Sequence, residues 1–64
     1  MKNRIFEFRK NAKLTQLQVA NEIGIAKNVF QQYEYGNVIP SVIVALKIAK
    51  VLNTTVEELY SDEE

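Results

Sequence analysis

The chain is expected to be an all-α fold of five short helices, and three observations carry that expectation. Apolar residues recur at helical spacing along most of its 64 residues. Thr15, Ser41 and Thr55 stand just before such runs, where a hydroxyl caps a helix. Gly24, Gly36 and Asn53 stand just after them, where a residue in the left-handed conformation ends one. No strand pattern is present. Val42-Ile43-Val44 is β-branched but sits inside a strong helical period.

The first helix runs from about Lys2 to Ala12, with Ile5, Phe8 and Ala12 at i, i+3, i+7 spacing. Thr15 opens the second. Thr15 with Gln18 matches the capping box, in which a hydroxyl and an amide satisfy opposite orphan N–H groups. Val19, Ala20 and Ile23 make the inner face, and Gly24 ends the helix. The third helix starts near Ala26 or Lys27, carries Val29, Phe30 and Tyr33 as its apolar positions, and stops at Gly36. Residues 37–40 form a loop, because Pro40 disfavours helix at Ile39. Ser41 caps the fourth helix, about Val42 to Leu52, whose stripe of Val42, Ala45, Leu46, Ala49 and Leu52 is the expected core face. Thr55 with Glu58 repeats the capping box and opens a short fifth helix that ends in Leu59 and Tyr60. One domain therefore spans residues 1–60, and residues 61–64 form a short acidic tail.

A chain of this length holds one small core, which gains from well-packed helices or from a dimer partner. With no cysteine and no histidine, disulfides, thiolate metal sites and the usual zinc ligand and general base are excluded. No metal and no cofactor is expected. Glu57-Glu58 is an adjacent rather than a facing pair and has a helix-capping reason to exist. No nucleophile–base set and no phosphate-cradling glycine loop accompanies it, so no catalytic residue is assigned and an enzyme is not expected. No run is long enough to span a membrane and no charged-then-apolar leader opens the chain, so a cytoplasmic location is the default.

The net charge is zero, but its distribution is uneven. Residues 1–40 carry Lys2, Arg4, Arg9, Lys10, Lys13 and Lys27 against Glu7, Glu22 and Glu34, a net of +3. Residues 41–64 carry Lys47 and Lys50 against Glu57, Glu58, Asp62, Glu63 and Glu64, a net of −3. The basic half holds the segment Leu14 to Gly36, a helix, a tight turn at Gly24 and a second helix. Polar, hydrogen-bonding side chains at Lys27, Asn28, Gln31 and Gln32 mark that second helix. Two helices joined in this way, with amides on the second, suit insertion of a helix into the major groove of double-stranded DNA.

The chain at this point resembles the Cro/C1-type (XRE) helix-turn-helix family, with its five-helix lambda-repressor-like DNA-binding domain. The resemblance covers about Arg4 to Tyr60. It rests on Ile5, Phe8 and Arg9; Leu14-Thr15-Gln16; Val19-Ala20 and Ile23-Gly24-Ile25; Phe30, Tyr33, Glu34 and Gly36; Pro40-Ser41 and Leu46-Lys47-Ile48-Ala49; and Leu52-Asn53 with Glu57-Glu58-Leu59. Each piece is common, and the whole set in order is specific. It implies that Gln16 contacts a phosphate, with Lys10, Lys13 and Asn37 as further phosphate candidates. Lys27, Asn28, Gln32 and Gln31 are then the candidates for base contact. It also implies that Arg9 and Glu34 form a structural ion pair joining the first and third helices. A homodimer on a palindromic operator is common in the family, and Val56, Leu59 and Tyr60 are dimer candidates by the same resemblance, with burial in the domain's own core as the alternative.

The chain departs from the family in places that bear on binding. Lys13 stands where many relatives have glycine, which strains or reshapes that turn. Ala26 replaces the usual hydroxyl cap of the third helix, at a cost of roughly 1 kcal/mol. Val38 and Ile39 stand where basic residues often grip the DNA backbone, so a shallower salt dependence is expected. Phe6, Tyr35, Val38, Ile39, Ile43 and Val44 occupy places that relatives often fill with polar residues. If exposed, they form a dimer or partner surface; local packing of the loop is the bland alternative.

The residue types fit the chemistry. An adenine presents an acceptor and a donor in the major groove, and the amide of Asn28 or Gln32 presents the complementary pair. Lys27 can donate to guanine O6 and N7 or to a phosphate. Lys2 and Arg4 are flanking phosphate candidates too, and for these two, as for Lys10 and Lys13, the other explanation is plain solubilising charge. A sequence-specific transcriptional regulator, more simply a repressor that occludes a promoter, is the expected function. A protein-interaction module on the same fold, such as a small antitoxin or an adaptor, is the alternative.

Overall fold

Left-handed residues separate the five helices of the described residues. In the computed structural model, which describes residues 2–61, the order is α1 (Ile5–Asn11), α2 (Gln16–Ile23), α3 (Lys27–Tyr35), α4 (Val42–Val51) and α5 (Val56–Leu59). Lys13 (φ 61°), Gly24 (φ 79°), Gly36 (φ 82°) and Asn53 (φ 60°) occupy the four connections. A methyl at Gly24 would meet no atom within 4 Å, so glycine is required there for its backbone angle and not for space. Lys13 adopts the same angle with a side chain attached, so the first turn keeps its shape and carries the strain locally.

Three hydroxyls cap helices as expected. Thr15 accepts from Gln18 N–H, and the Gln18 side chain accepts from Thr15 N–H, closing the full capping box. Ser41 accepts from Val44 N–H and Thr55 from Glu58 N–H. The box at Thr55 is only half made, because Glu58 Oε1 accepts from Thr54 Oγ1 at 2.6 Å. Ala26 offers no side-chain cap to α3.

Helix α1 is shorter than expected. It begins at Ile5 because the preceding residues are tied elsewhere: Arg4 N–H donates to Leu59 O and Asn3 Nδ2 to Tyr33 O, while Asn3 Oδ1 accepts from Ile5 N–H. Ala12, expected inside the helix, is its exposed C-cap. Of the acidic tail, residues 62–64 lie outside the described residues.

The core is built from Ile5, Val19, Ala20, Ile23, Phe30, Ile48, Ala49, Leu52 and Leu59. Each large side chain fully withdrawn from water contributes about 1.5–3 kcal/mol. Three expectations about facing are corrected. Val42 (74% exposed) and Leu46 (54%) lie outside the core, and Ile48 (0%) lies within it. Eight of the ten residues of α4 are apolar, so its period did not choose between two stripes one step apart. Val29 of α3 is exposed, with Phe30 filling the core instead. Leu59, expected on a dimer surface, is fully buried as a member of the core cluster.

Candidate nucleic-acid interface

Helix α3 has two chemically different faces. Phe30 and Glu34 point inward and are buried, with Tyr33 half-buried beside them. Lys27, Asn28 and Gln32 are exposed on the outside, and Gln31 is half-buried between the faces. The spacing of Asn28 and Gln32, one helical turn apart, puts both amides on one stripe.

The inner face is fixed by an ion pair. Arg9 Nε donates to Glu34 Oε1 at 2.9 Å and Arg9 Nη2 to Glu34 Oε2 at 3.1 Å, a bidentate fork. The third arm, Nη1, donates to Leu14 O at 2.8 Å. Both side chains are buried, so one guanidinium ties α1 to α3 and to the start of α2. Phe6, exposed on α1, lies beside this group, with the Arg9 guanidinium 5.4 Å from its ring centre and the Lys10 ammonium 5.9 Å.

Outside, two amide pairs organise the surface. Gln31 Nε2 donates to Gln16 Oε1 at 2.9 Å, linking α3 to the first residue of α2. Asn37 Nδ2 donates to Gln32 Oε1 at 3.0 Å, linking α3 to the loop that follows it. Next to the first pair is an open cleft of about 510 Å³ whose walls include Lys10, Lys13, Gln16 and Lys27 and, among the described residues, no carboxylate. The residues named for phosphate contact thus lie together, save Asn37, which sits with Gln32. Of the two flanking candidates, Lys2 is exposed, whereas Arg4 forks onto Glu7 at 3.0 and 3.1 Å and lies over the Phe8 ring. That hydrogen bond, with the Arg4 charge, holds the Glu7 carboxyl below the usual glutamate range.

A second, apolar surface follows α3. Ile39 (63% exposed), Val42, Ile43 (64%) and Leu46 are all open to solvent. Ile39, Val42 and Leu46 line a groove of about 370 Å³ together with Pro40, Ala45, Val56 and Tyr60, and Ile43 is not in that lining. Val56 and Tyr60 are half-buried at its floor, and Val44 is half-buried against the core. Tyr60 Oη is buried without a hydrogen-bond partner among the described residues. Burial raises its pKa above the ordinary tyrosine value, and Tyr33 adds to the effect. Val42 and Leu46 are the surface residues that sequence reasoning missed, and the uniform apolarity of α4 hid them. Among the described residues, no group of histidine, cysteine or carboxylate side chains could hold a metal, and no helix is long and apolar enough to cross a membrane.

Known proteins share both the sequence and the shape. The helix-turn-helix family matches residues 5–59. The chain belongs to the Cro/C1-type helix-turn-helix family. An uncharacterized HTH-type transcriptional regulator of Archaeoglobus fulgidus is 38% identical to this helix-turn-helix chain over 66 residues, covering all of this chain and 94% of that protein. The cryptic phage CTXphi transcriptional repressor RstR of Vibrio cholerae is 37% identical over 62 residues, covering 97% of this chain and 56% of that one. Among solved structures, a chain of the SinR protein/SinI protein complex superposes with a TM-score of 0.84 at 27% identity, covering 92% of this chain and 58% of that one. SinR, master regulator for biofilm formation, in complex with DNA, gives 0.76 at 27% identity, covering 84% of this chain and 87% of that one. This helix-turn-helix protein therefore spans little more than half the length of RstR and of the matched chain in the SinR/SinI complex. The family is one of transcription regulators and not of enzymes.

Proposed function

We propose that this protein is a sequence-specific DNA-binding repressor that places α3 in the major groove, with Lys27, Asn28 and Gln32 at base edges. The observation that carries the reading is the joint exposure of these three side chains beside a cleft walled by Lys10, Lys13, Gln16 and Lys27. A duplex laid over this corner would meet donors for its phosphates on α1 and α2 and amides for its bases on α3. The repressor RstR and the DNA complex of SinR support it. Such a protein acts where DNA is, in the cytoplasm.

The protein works as a homodimer through the apolar surface of Ile39, Ile43, Val56 and Tyr60, widened by Val42 and Leu46. Two copies would set two recognition helices about 34 Å apart on a palindromic operator. Occlusion of a promoter is the simplest repression mechanism. Selection of bound duplexes from a random pool tests the reading: an enriched palindrome is expected, and no enrichment would overturn it.

A second reading has its own observation. The apolar surface also suits a different protein chain, as in an antitoxin or adaptor, and the SinR/SinI neighbour is itself a protein complex. Analytical ultracentrifugation of the purified chain at micromolar concentration separates the two, since a homodimer needs no second protein.

A further inference from the structure

Of the four polar residues on α3 considered for base contact, Gln31 differs from the rest. It is half-buried where Lys27, Asn28 and Gln32 are exposed, and its Nε2 is committed to Gln16 Oε1 at 2.9 Å. We propose that Gln31 reads no base and is a positioning residue, which turns the Gln16 amide so that its N–H groups face a DNA backbone phosphate. The proposal rests on the DNA-binding reading above.

The geometry of the amide explains why. Gln16 is the first residue of α2, at the edge of the cleft walled by Lys10, Lys13 and Lys27. A glutamine amide there has two orientations, and only one helps an anion. With the carbonyl oxygen toward the cleft it would repel a phosphate; with the nitrogen toward it, it donates. In the observed orientation, the Gln31 N–H holds the Gln16 oxygen on the α3 side, and no acceptor among the described residues meets Gln16 Nε2. The cations around the cleft supply long-range attraction, and the oriented amide supplies a directed hydrogen bond at one point of the backbone. The backbone at Lys13 shows the same priority. It holds a lysine at φ 61°, where a glycine would be unstrained, on the wall of this cleft.

The role separates cleanly from base reading and from plain charge. Both glutamines are neutral, so losing either releases no counterions and leaves the salt slope unchanged, unlike loss of Lys13. A positioning residue acts through its partner, so its effect vanishes when the partner is gone.

The test takes the duplex enriched by the wild-type protein and measures affinity as a function of salt for Gln31→Met, Gln16→Ala and the double variant, with a repeat selection for Gln31→Met. Methionine keeps the volume of the side chain and removes the amide, and melting curves confirm that each variant is folded. The expected result is a loss of about threefold to tenfold for each single variant, from one hydrogen bond. The double variant loses no more than Gln16→Ala alone, with the same salt slope and the same selected motif. A relaxed preference at one base pair in the Gln31→Met selection, additive losses, or unchanged affinity would each overturn the positioning role while leaving the DNA reading in place. No enrichment with wild type would overturn both.

Discussion

The inner and outer faces of α3 are made of similar material put to opposite uses. Inside, Glu34 is a charged group whose two oxygens are both met by Arg9 in a buried site. Outside, Asn28 and Gln32 are neutral amides on the exposed side, Gln32 with its Oε1 accepting from the Asn37 amide. A buried charge is tolerable only when its partners are complete, so the inner face is specified by the fold. An exposed amide has no such requirement, so the outer face is free to be specified by something that arrives later. The difference teaches where a substitution should be felt: within the fold on one face, and in binding alone on the other.

The largest break comes from the inside. Glu34→Gln keeps the shape but removes the charge opposite a buried guanidinium, at a cost of about 3–5 kcal/mol. A domain this small has little more than that to lose, so the helical circular-dichroism signal at 222 nm should be largely lost at 37 °C. Replacing both partners by apolar residues, Arg9→Met with Glu34→Leu, should recover much of the stability, because no unpaired charge remains. If Glu34→Gln melts like the wild type, the two faces are not different in the way described.

The outer face should behave in reverse. Gln32→Ala is expected to leave the melting temperature within the range of about 0.5 kcal/mol typical of surface changes. Its discrimination at one base pair should fall by about 1–3 kcal/mol when affinity is measured on the selected duplex and its single-site variants. The Asn37 side chain loses its partner in the same substitution, but that pair is exposed and contributes little to folding.

Between the two faces lies the start of the helix. Ala26 has the extended backbone of a cap (φ −73°, ψ 150°), close to that of Ser41 (φ −63°, ψ 165°), yet offers no oxygen. Ala26→Ser should therefore stabilise the fold by about 1 kcal/mol. That would raise the melting temperature by about 4–8 °C in calorimetry. No change would mean that the N-terminal N–H groups of α3 are already satisfied by water at no net cost.

Local signals in the chain foretold most of this frame, because caps and left-handed stops depend on residues close in sequence. Thr15 with Gln18, Ser41, Gly24, Gly36 and Asn53 each do in the structure what their chemistry requires. Facing was legible only where a helix mixes polar and apolar residues. In α2 and the inner side of α3 the polar positions leave one stripe, whereas α4 offers two and the choice falls to its neighbours. The start of α1 escaped for a different reason. Arg4 N–H bonds to Leu59 O, a partner 55 residues away, and no periodicity reports so distant a contact. The amide pair of Gln31 and Gln16 joins two helices and was equally invisible, so Gln31 stood as a fourth base-contact candidate although its amide is engaged with α2.

The smallest effect concerns Tyr60, which meets the inner side of α3 through Tyr33. The Tyr60 hydroxyl is buried without a partner among the described residues and is held protonated above the ordinary tyrosine value of 10.0, first by burial and then by Tyr33. Below the ordinary value both the folded and unfolded chains keep the proton, and the group has no pH effect. Above it the unfolded chain releases the proton while the folded chain retains it, so stability falls as pH rises through the folded value. Tyr60→Phe removes this dependence. Its urea midpoint should decline less than that of the wild type as pH rises above the ordinary tyrosine value of about 10. At neutral pH the substitution also removes a hydroxyl that is desolvated with no hydrogen bond in return, so the variant should match or slightly exceed wild-type stability. Parallel curves for the two proteins above pH 10 would show that the hydroxyl reaches water, and with it that the floor of the apolar groove is wet.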